Sequence, residues 1–168
     1  MICKRFYAKR ILIQAVSLGA VIVISGCQSP KTALENLNAS DLTWATYTSD
    51  KLNYSIAYST VLAPSGSEHG EVLFKYGWGV PVRVRFTNEA EGKKTGAWFG
   101  NEPTEKIKLN GRNGEKFIYE HYEGPFGART VSYVIEYRGK FLGVEFRTDG
   151  ELNEIQQRML DSFRITAN

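Results

Sequence analysis

The chain of 168 residues holds only two cysteines and two histidines. Cys3 and Cys27 both lie near its start, so nothing beyond Cys27 can form a disulfide within the chain. Whatever folds there must stand on its own core. The two histidines, His69 and His121, have no cysteine beside them and fall short of a structural zinc set, which takes four ligands. No apolar run reaches the roughly 20 residues that a membrane-spanning helix requires. The glycine-bearing stretches "GWGVPV" and "GRNG" lack the spacing and the lysine of a phosphate loop. Charge of one sign is not dominant either, with 21 bases against 18 acids.

What is present is unevenly distributed. Residues 1 to 10, MICKRFYAKR, carry Lys4, Arg5, Lys9 and Arg10 and no acid, and residues 11 to 24, ILIQAVSLGAVIVI, carry no charge. Ser25, Gly26 and Cys27 follow. A positive start, a short apolar run and a small-residue cleavage site make a secretory signal over residues 1–26. Ile24-Ser25-Gly26-Cys27 resembles the bacterial lipobox, with Ile where Leu is usual. The resemblance implies that Cys27 is diacylated on sulfur, becomes the new N-terminus and is then acylated on nitrogen. An ordinary signal peptide with an incidental cysteine, or an uncleaved anchor, is the blander alternative. One acyl chain anchors marginally and two or more anchor stably. The expectation is therefore an exported protein held to the cell envelope by its lipid. Gln28 and Ser29 follow Cys27 where an Asp would favour inner-membrane retention, which points to the outer membrane.

Removing the signal takes away four bases and leaves 17 against 18 acids. The apparent basicity belongs to targeting, and a nucleic-acid partner, which wants a basic domain, is not expected. The remaining 142 residues suffice for one domain with a real core. Residues 27–43 are polar and read as the lipidated cysteine and a tether, with a weak helical pattern in TALENL. The domain is expected over 44–168.

From Trp44 the pattern is mostly period two, the mark of strands. "LNYSIAY" alternates Leu52, Tyr54, Ile56 and Tyr58 with polar or small residues, and "PVRVRFT" alternates Val82, Val84 and Phe86 with Arg83 and Arg85. Pro81 suits a strand start or an edge. "EKIKLNGRNGEKFIYEHY" reads as two strands around a loop holding Asn110-Gly111 and Asn113-Gly114. A two-residue loop at Arg138-Gly139 predicts a hairpin pairing Tyr137 with Lys140, Ile135 with Leu142, Tyr133 with Val144 and Val131 with Phe146. Its other face mixes Ser132, Glu136, Glu145 and Arg147 with Val134 and Phe141, which calls for partial cover. "ELNEIQQRMLDSF" supplies a helix with Leu152, Ile155, Met159 and Phe163 on one side, capped from Thr148–Glu151 or at Gly150, and "FRIT" is extended. The fold class is α+β: an antiparallel sheet with at least one packed C-terminal helix.

"YTSDKLNYSIAY", "LNGRNGEKF", "VSYVIEYRGKFLGVEF" and the closing "LDSFRIT" occur in an order that resembles the PsbP-like fold. That fold is shared by a photosystem extrinsic subunit, a nuclear Ran-release factor and several bacterial lipoproteins. The resemblance covers most of residues 44 to 166. It implies a binding or assembly role without catalysis.

Chemistry of the chain's own is weakly signalled. "PSGSEHG" puts Ser67 and His69 in one polar loop, but a catalytic triad needs groups held in fixed mutual geometry. Glu120, His121 and Glu123 would give at most a partial metal set. Trp78, Trp98 and Phe99 lie in or beside glycine-bearing segments and read either as a partner-binding surface, since aromatics dominate interface energetics, or as lids over the domain's own core, with Trp98 and Phe99 the pair expected to be exposed. Asn88 to Thr104 is long for a plain connection. The sequence thus implies a non-catalytic partner-binding or assembly module with a protein partner and no cofactor. The alternatives are a periplasmic carrier of a small hydrophobic ligand and a hydrolase using Ser67 and His69. In Cys27→Ala, acylation should disappear and the precursor mass should persist, as read by intact mass spectrometry of the membrane fraction.

Overall fold

The computed structural model describes residues 34, 37–66, 71–77, 79–90, 101–121, 128–148 and 151–166, with the side chains of 120, 121 and 128 outside the description. Ten strands follow in order: β1 (Trp44–Ser49), β2 (Tyr54–Ser59), β3 (Ala63–Gly66), β4 (Glu71–Tyr76), β5 (Gly79–Thr87), β6 (Glu105–Leu109), β7 (Arg112–His121), β8 (Ala128–Tyr137), β9 (Lys140–Arg147) and β10 (Arg164–Ile165). A single helix of more than one turn among the described residues, α1 (Glu154–Ser162), precedes β10. The strands form two antiparallel sheets, a three-stranded one ordered β1-β2-β10 and a seven-stranded one ordered β3-β4-β5-β9-β8-β7-β6. The α+β class read from the sequence is the class found.

The β8–β9 hairpin has the expected register, Tyr137 opposite Lys140 through Val131 opposite Phe146. Arg138 and Gly139 both take positive φ, 54° and 69°. That turn twists with the strands it joins, which is why two residues suffice. Asn110 and Gly111 make the same kind of turn between β6 and β7, at φ 52° and 75°. Asn113-Gly114 does not turn; it lies inside β7. A Cβ on Gly114 would collide with the Val134 carbonyl oxygen and come within 2.7 Å of Ile135 Cγ2, so this glycine permits the close approach of β8.

Pro81 is neither at a sheet edge nor at a strand start. It sits inside β5, the third strand of seven. The β4–β5 register shifts between Phe74 and Tyr76, and the ladder to β9 begins only at Val82. An irregular ladder is where a residue without an N–H is tolerated.

One face of the large sheet, here called inner, supplies Phe74, Val82, Val84, Ile135, Leu142, Val144 and Phe146 to a core shared with Tyr54 and Ile56 of β2 and with Met159, Leu160 and Phe163 at the helix end. Tyr47 and Tyr58 meet the Phe74 ring at centroid distances of 5.9 and 5.4 Å, and Tyr54 stacks on Phe163 at 5.7 Å. The helix therefore covers the apolar face of the β8–β9 hairpin and not the mixed one expected above. Its cap also differs. Asn153 accepts from Gln156 N (2.9 Å) while the Gln156 side chain accepts from Asn153 N (3.1 Å), a reciprocal box that satisfies two free donors of the first turn. Thr148 instead donates its hydroxyl to Glu151 O (2.7 Å). At the other end Ser162 Oγ accepts from Ala57 N (2.8 Å) and donates to Met159 O (2.7 Å), tying the helix to β2.

Leu34 is 2% exposed and belongs to the core, and Ala39 is buried as well. The packed chain thus reaches back into the stretch expected to be tether, because Leu34 and Leu37 bury apolar surface that a free tether would leave wet. Gly114→Ala should cost about 1–3 kcal/mol, the usual penalty of overpacking, measured as a lowered urea midpoint at unchanged slope.

Candidate functional site

The outer face of the large sheet is where polar chemistry gathers. On β5, Val82 and Val84 face inward, so Arg83 and Arg85 face outward. Glu71 stands opposite Arg85 across the β4–β5 ladder, and Glu145 opposite Arg83 across β5–β9. Arg85 Nε lies 3.0 Å from Glu71 Oε1 and 3.5 Å from Glu145 Oε1, while Arg83 Nη1 lies 3.7 Å from Glu145 Oε2. Arg85 is 7% exposed and Glu145 4%. Ser132, fully buried next along on β8, donates to Tyr119 Oη at 3.4 Å. Two carboxylates and two guanidinium groups thus balance in a poorly hydrated patch.

Burial pushes the Glu145 carboxyl above the usual 4.5; Arg85 and then Arg83 pull it back down, Glu71 raises it, and the Tyr119 hydroxyl lowers it. Desolvation wins because a buried ionised carboxylate loses more hydration than two nearby guanidinium groups restore. Tyr119 is pushed up to about 12, by burial first and then by the Glu145 charge. A carboxyl held beside guanidinium groups with no approach for a substrate fits a structural ion cluster. Beside it Phe117 and Val134 form a small second core with Tyr119 and Phe141 against them. This cluster and core stand where helical cover was expected.

Two hollows flank β6, the edge strand. One, of about 660 Å³, lies on the outer side among Lys106, Lys108, Glu115, Val134, Glu136 and Phe141. The other, of about 480 Å³, separates β6 from the helix and is lined by Ile107, Tyr133, Gln157, Leu160, Asp161 and Arg164. Both are open grooves with apolar floors and charged rims. Burial raises the Tyr133 hydroxyl pKa in the second, with the Glu105 charge adding to it.

Cys27, Ser67, His69, Trp78, Trp98 and Phe99 lie outside the described residues. His121 ends β7 opposite Ala128. Among the described residues no group of three His, Cys, Asp or Glu side chains is placed to hold a metal. The Glu71–Arg85–Glu145 cluster was not anticipated as a unit. Its signal was present: opposite charges between apolar residues on both β5 and β9, at positions that pair once the register is known.

No family model matches this chain, and no curated protein matches its sequence. Solved structures do. A crystal structure from Bacteroides thetaiotaomicron VPI-5482 is similar at a TM-score of 0.54 and 12% identity, over 73% of this chain and 48% of that one. The likeness is one of fold. This chain spans about half the length of that protein. The solution structure of cyanobacterial PsbP (CyanoP) from Synechocystis sp. PCC 6803 gives a TM-score of 0.49 at 14% identity, over 74% of this chain and 93% of that one.

The raised Glu145 pKa sets a sign for the effect of pH. The folded protein holds this proton to higher pH than the unfolded chain does. Its contribution to stability is complete below about 4.5 and is lost as pH rises toward the higher folded value. Glu145→Gln should remove that slope from a plot of unfolding free energy against pH, while Arg85→Met should lower stability by about 3 kcal/mol at neutral pH, because it leaves the buried carboxylate with Arg83 alone.

Proposed function

We propose that the protein is exported, lipid-anchored at Cys27 in the bacterial envelope, at the outer rather than the inner membrane, and acts there as a non-catalytic partner-binding or assembly module with a PsbP-like domain. The observation that carries this reading is Ile24-Ser25-Gly26-Cys27, set directly after an uncharged run and a basic start. No described helix is long and apolar enough to cross a membrane, and the acyl chains supply attachment by other means. Anchoring confines the domain to a thin layer, so a modest affinity for a co-resident protein suffices.

The shape of the domain supports binding at its surface. The space between helix and sheet, where a carrier would enclose its ligand, is filled by Ile155, Met159 and Phe163, none more than 1% exposed. The hollows beside β6 are open instead, and Ile107 contributes to both. A polypeptide lying along β6 would cover apolar floors on either side and meet lysines at the rim.

A photo-cross-linking residue at position 107, activated in cells before detergent extraction, tests this. A stoichiometric protein adduct that is lost in Cys27→Ala is expected. Its persistence in Trp98→Ala/Phe99→Ala would separate the β6 face from those aromatics. The absence of any adduct at position 107, together with unchanged co-purification profiles in Trp98→Ala/Phe99→Ala, would sink the partner-binding reading.

A further inference from the structure

Three hairpin turns meet at one end of the molecule: Asp50–Asn53 between β1 and β2, Asn110-Gly111 between β6 and β7, and Arg138-Gly139 between β8 and β9. With its side-chain amide turned to the orientation that satisfies both ends, Asn53 links two of them, its oxygen accepting from Arg138 Nη1 at 2.8 Å and its nitrogen donating to Asp50 O at 3.1 Å. Arg112 and Arg138 both lie over the Tyr137 ring, 5.2 and 5.1 Å from its centroid. Lys140 Nζ stands 5.4 Å over the Phe86 ring, Lys51 lies in the β1–β2 turn, and Lys108 lies two residues before the β6–β7 turn. All five cations are exposed.

Of the described acids, Asp50 lies in the β1–β2 turn, Glu136 before the β8–β9 turn and Glu89 after β5. Among the described residues no carboxylate lies within ion-pair distance of any of the five cations. The arginines of β5 contrast with this, since buried Arg85 and half-buried Arg83 are matched by Glu71 and Glu145. A guanidinium stacked on a ring keeps its N–H edge directed at solvent and ready for an anion. Neither groove beside β6 includes Lys51, Arg112, Arg138 or Lys140. Lys51 and Arg138 stand in turns, and Lys108, Arg112 and Lys140 at the strand ends beside turns, an arrangement that suits an extended anionic surface better than a small anion, which needs an enclosing site.

We propose that this end docks onto anionic phospholipid headgroups of the membrane that carries the anchor. The inference rests on the anchored reading. Six residues lie between Cys27 and core residue Leu34, a span of at most about 25 Å over the seven steps. So short a span keeps the domain against the bilayer, where each surface cation within about a Debye length adds attraction to anionic lipid. The lipid sets where the domain is, and the cationic end sets which way it faces.

The test reconstitutes the mature protein, carrying a fluorophore at exposed Thr48→Cys, into phosphatidylcholine vesicles with and without phosphatidylglycerol, both containing a quencher lipid. Association with the neutral vesicles reports the anchor alone. Stronger quenching when phosphatidylglycerol is present reports docking of this end. The increment should vanish in high salt and fall by about fivefold or more in Lys51→Glu/Lys108→Glu, which leaves the Tyr137 stack intact. Arg112→Glu/Arg138→Glu, checked for folding by urea titration, should abolish it. Equal quenching on both vesicles, or an increment that survives these substitutions, overturns the proposal. Saturable polyglutamate binding without a phosphatidylglycerol effect overturns it too, and assigns the cations to an acidic protein. If the protein fails to associate with neutral vesicles the anchor is wrong, and co-sedimentation with the anionic vesicles still decides the docking question.

Discussion

Val144 and Glu145 follow one another in β9 and are both buried, at 0% and 4% exposure. Successive side chains of a strand point to opposite faces, so β9 is covered on both. An antiparallel sheet more often leaves one face to water, where a glutamate needs nothing beyond solvent. Here the outer face at β9 is closed, and Glu145 has to find its counter-charges within the sheet. It finds them in Arg83 and Arg85 on β5, and Arg85 is shared in turn with Glu71 on β4. Three strands are thereby held in register twice, by aromatic and aliphatic packing on the inner side and by charge on the outer. A slip of one residue would drive Glu145 into the apolar core and Val144 into the ion cluster, and neither is tolerable.

The same side-chain types behave differently a few strands away. Guanidinium groups in the middle of the sheet are dehydrated, and their energetic weight lies in what their removal would leave behind. Those at the turn end are in water, stacked on Tyr137, and their pairing with exposed acids would be worth little. Formal charge is nearly balanced once the four bases of residues 1 to 10 are set aside. The balance conceals a separation into a neutralised interior cluster and an unneutralised cationic end, and only the fold makes that separation.

Much of the architecture was legible because its signals were local. Arg138-Gly139 between two alternating stretches specifies a turn and hence every pair in the β8–β9 ladder. Ile155, Met159 and Phe163 declare a helix by spacing alone. What failed depended on distant chain. Pro81 reads as an edge residue until the β4–β5 irregularity beside it is known. Asn113-Gly114 repeats a turn signal whose glycine is demanded by β8 instead. The side of the sheet that the helix covers cannot follow from either element separately, since both faces of β8–β9 carry apolar residues. Of the candidate site, the lipobox resemblance of Ile24–Cys27 was legible because it is contiguous, whereas Glu71, Arg85 and Glu145 lie on three strands and become a cluster only through pairing.

Among the described residues β3 and β6 are the edge strands of the large sheet, and their residues bear on self-association. At one edge β3 is four residues long and contains Pro64 and Gly66, a poor template for further pairing. At the other, β6 is five residues with Lys106 and Lys108 on its outer face. Two copies pairing antiparallel through β6 in a continuous sheet must oppose residues of the same face. In the three registers that pair β6 most fully, Lys106 would meet Lys106 or Lys108 of the second copy, or Lys108 would meet Lys108, a like-charge contact each time. Self-association along β6 is thus disfavoured by the residues that line the rim of its outer groove. A strand carrying acids at alternate positions would meet no such penalty, so β6 is closed to copies of its own chain while staying open to a complementary one.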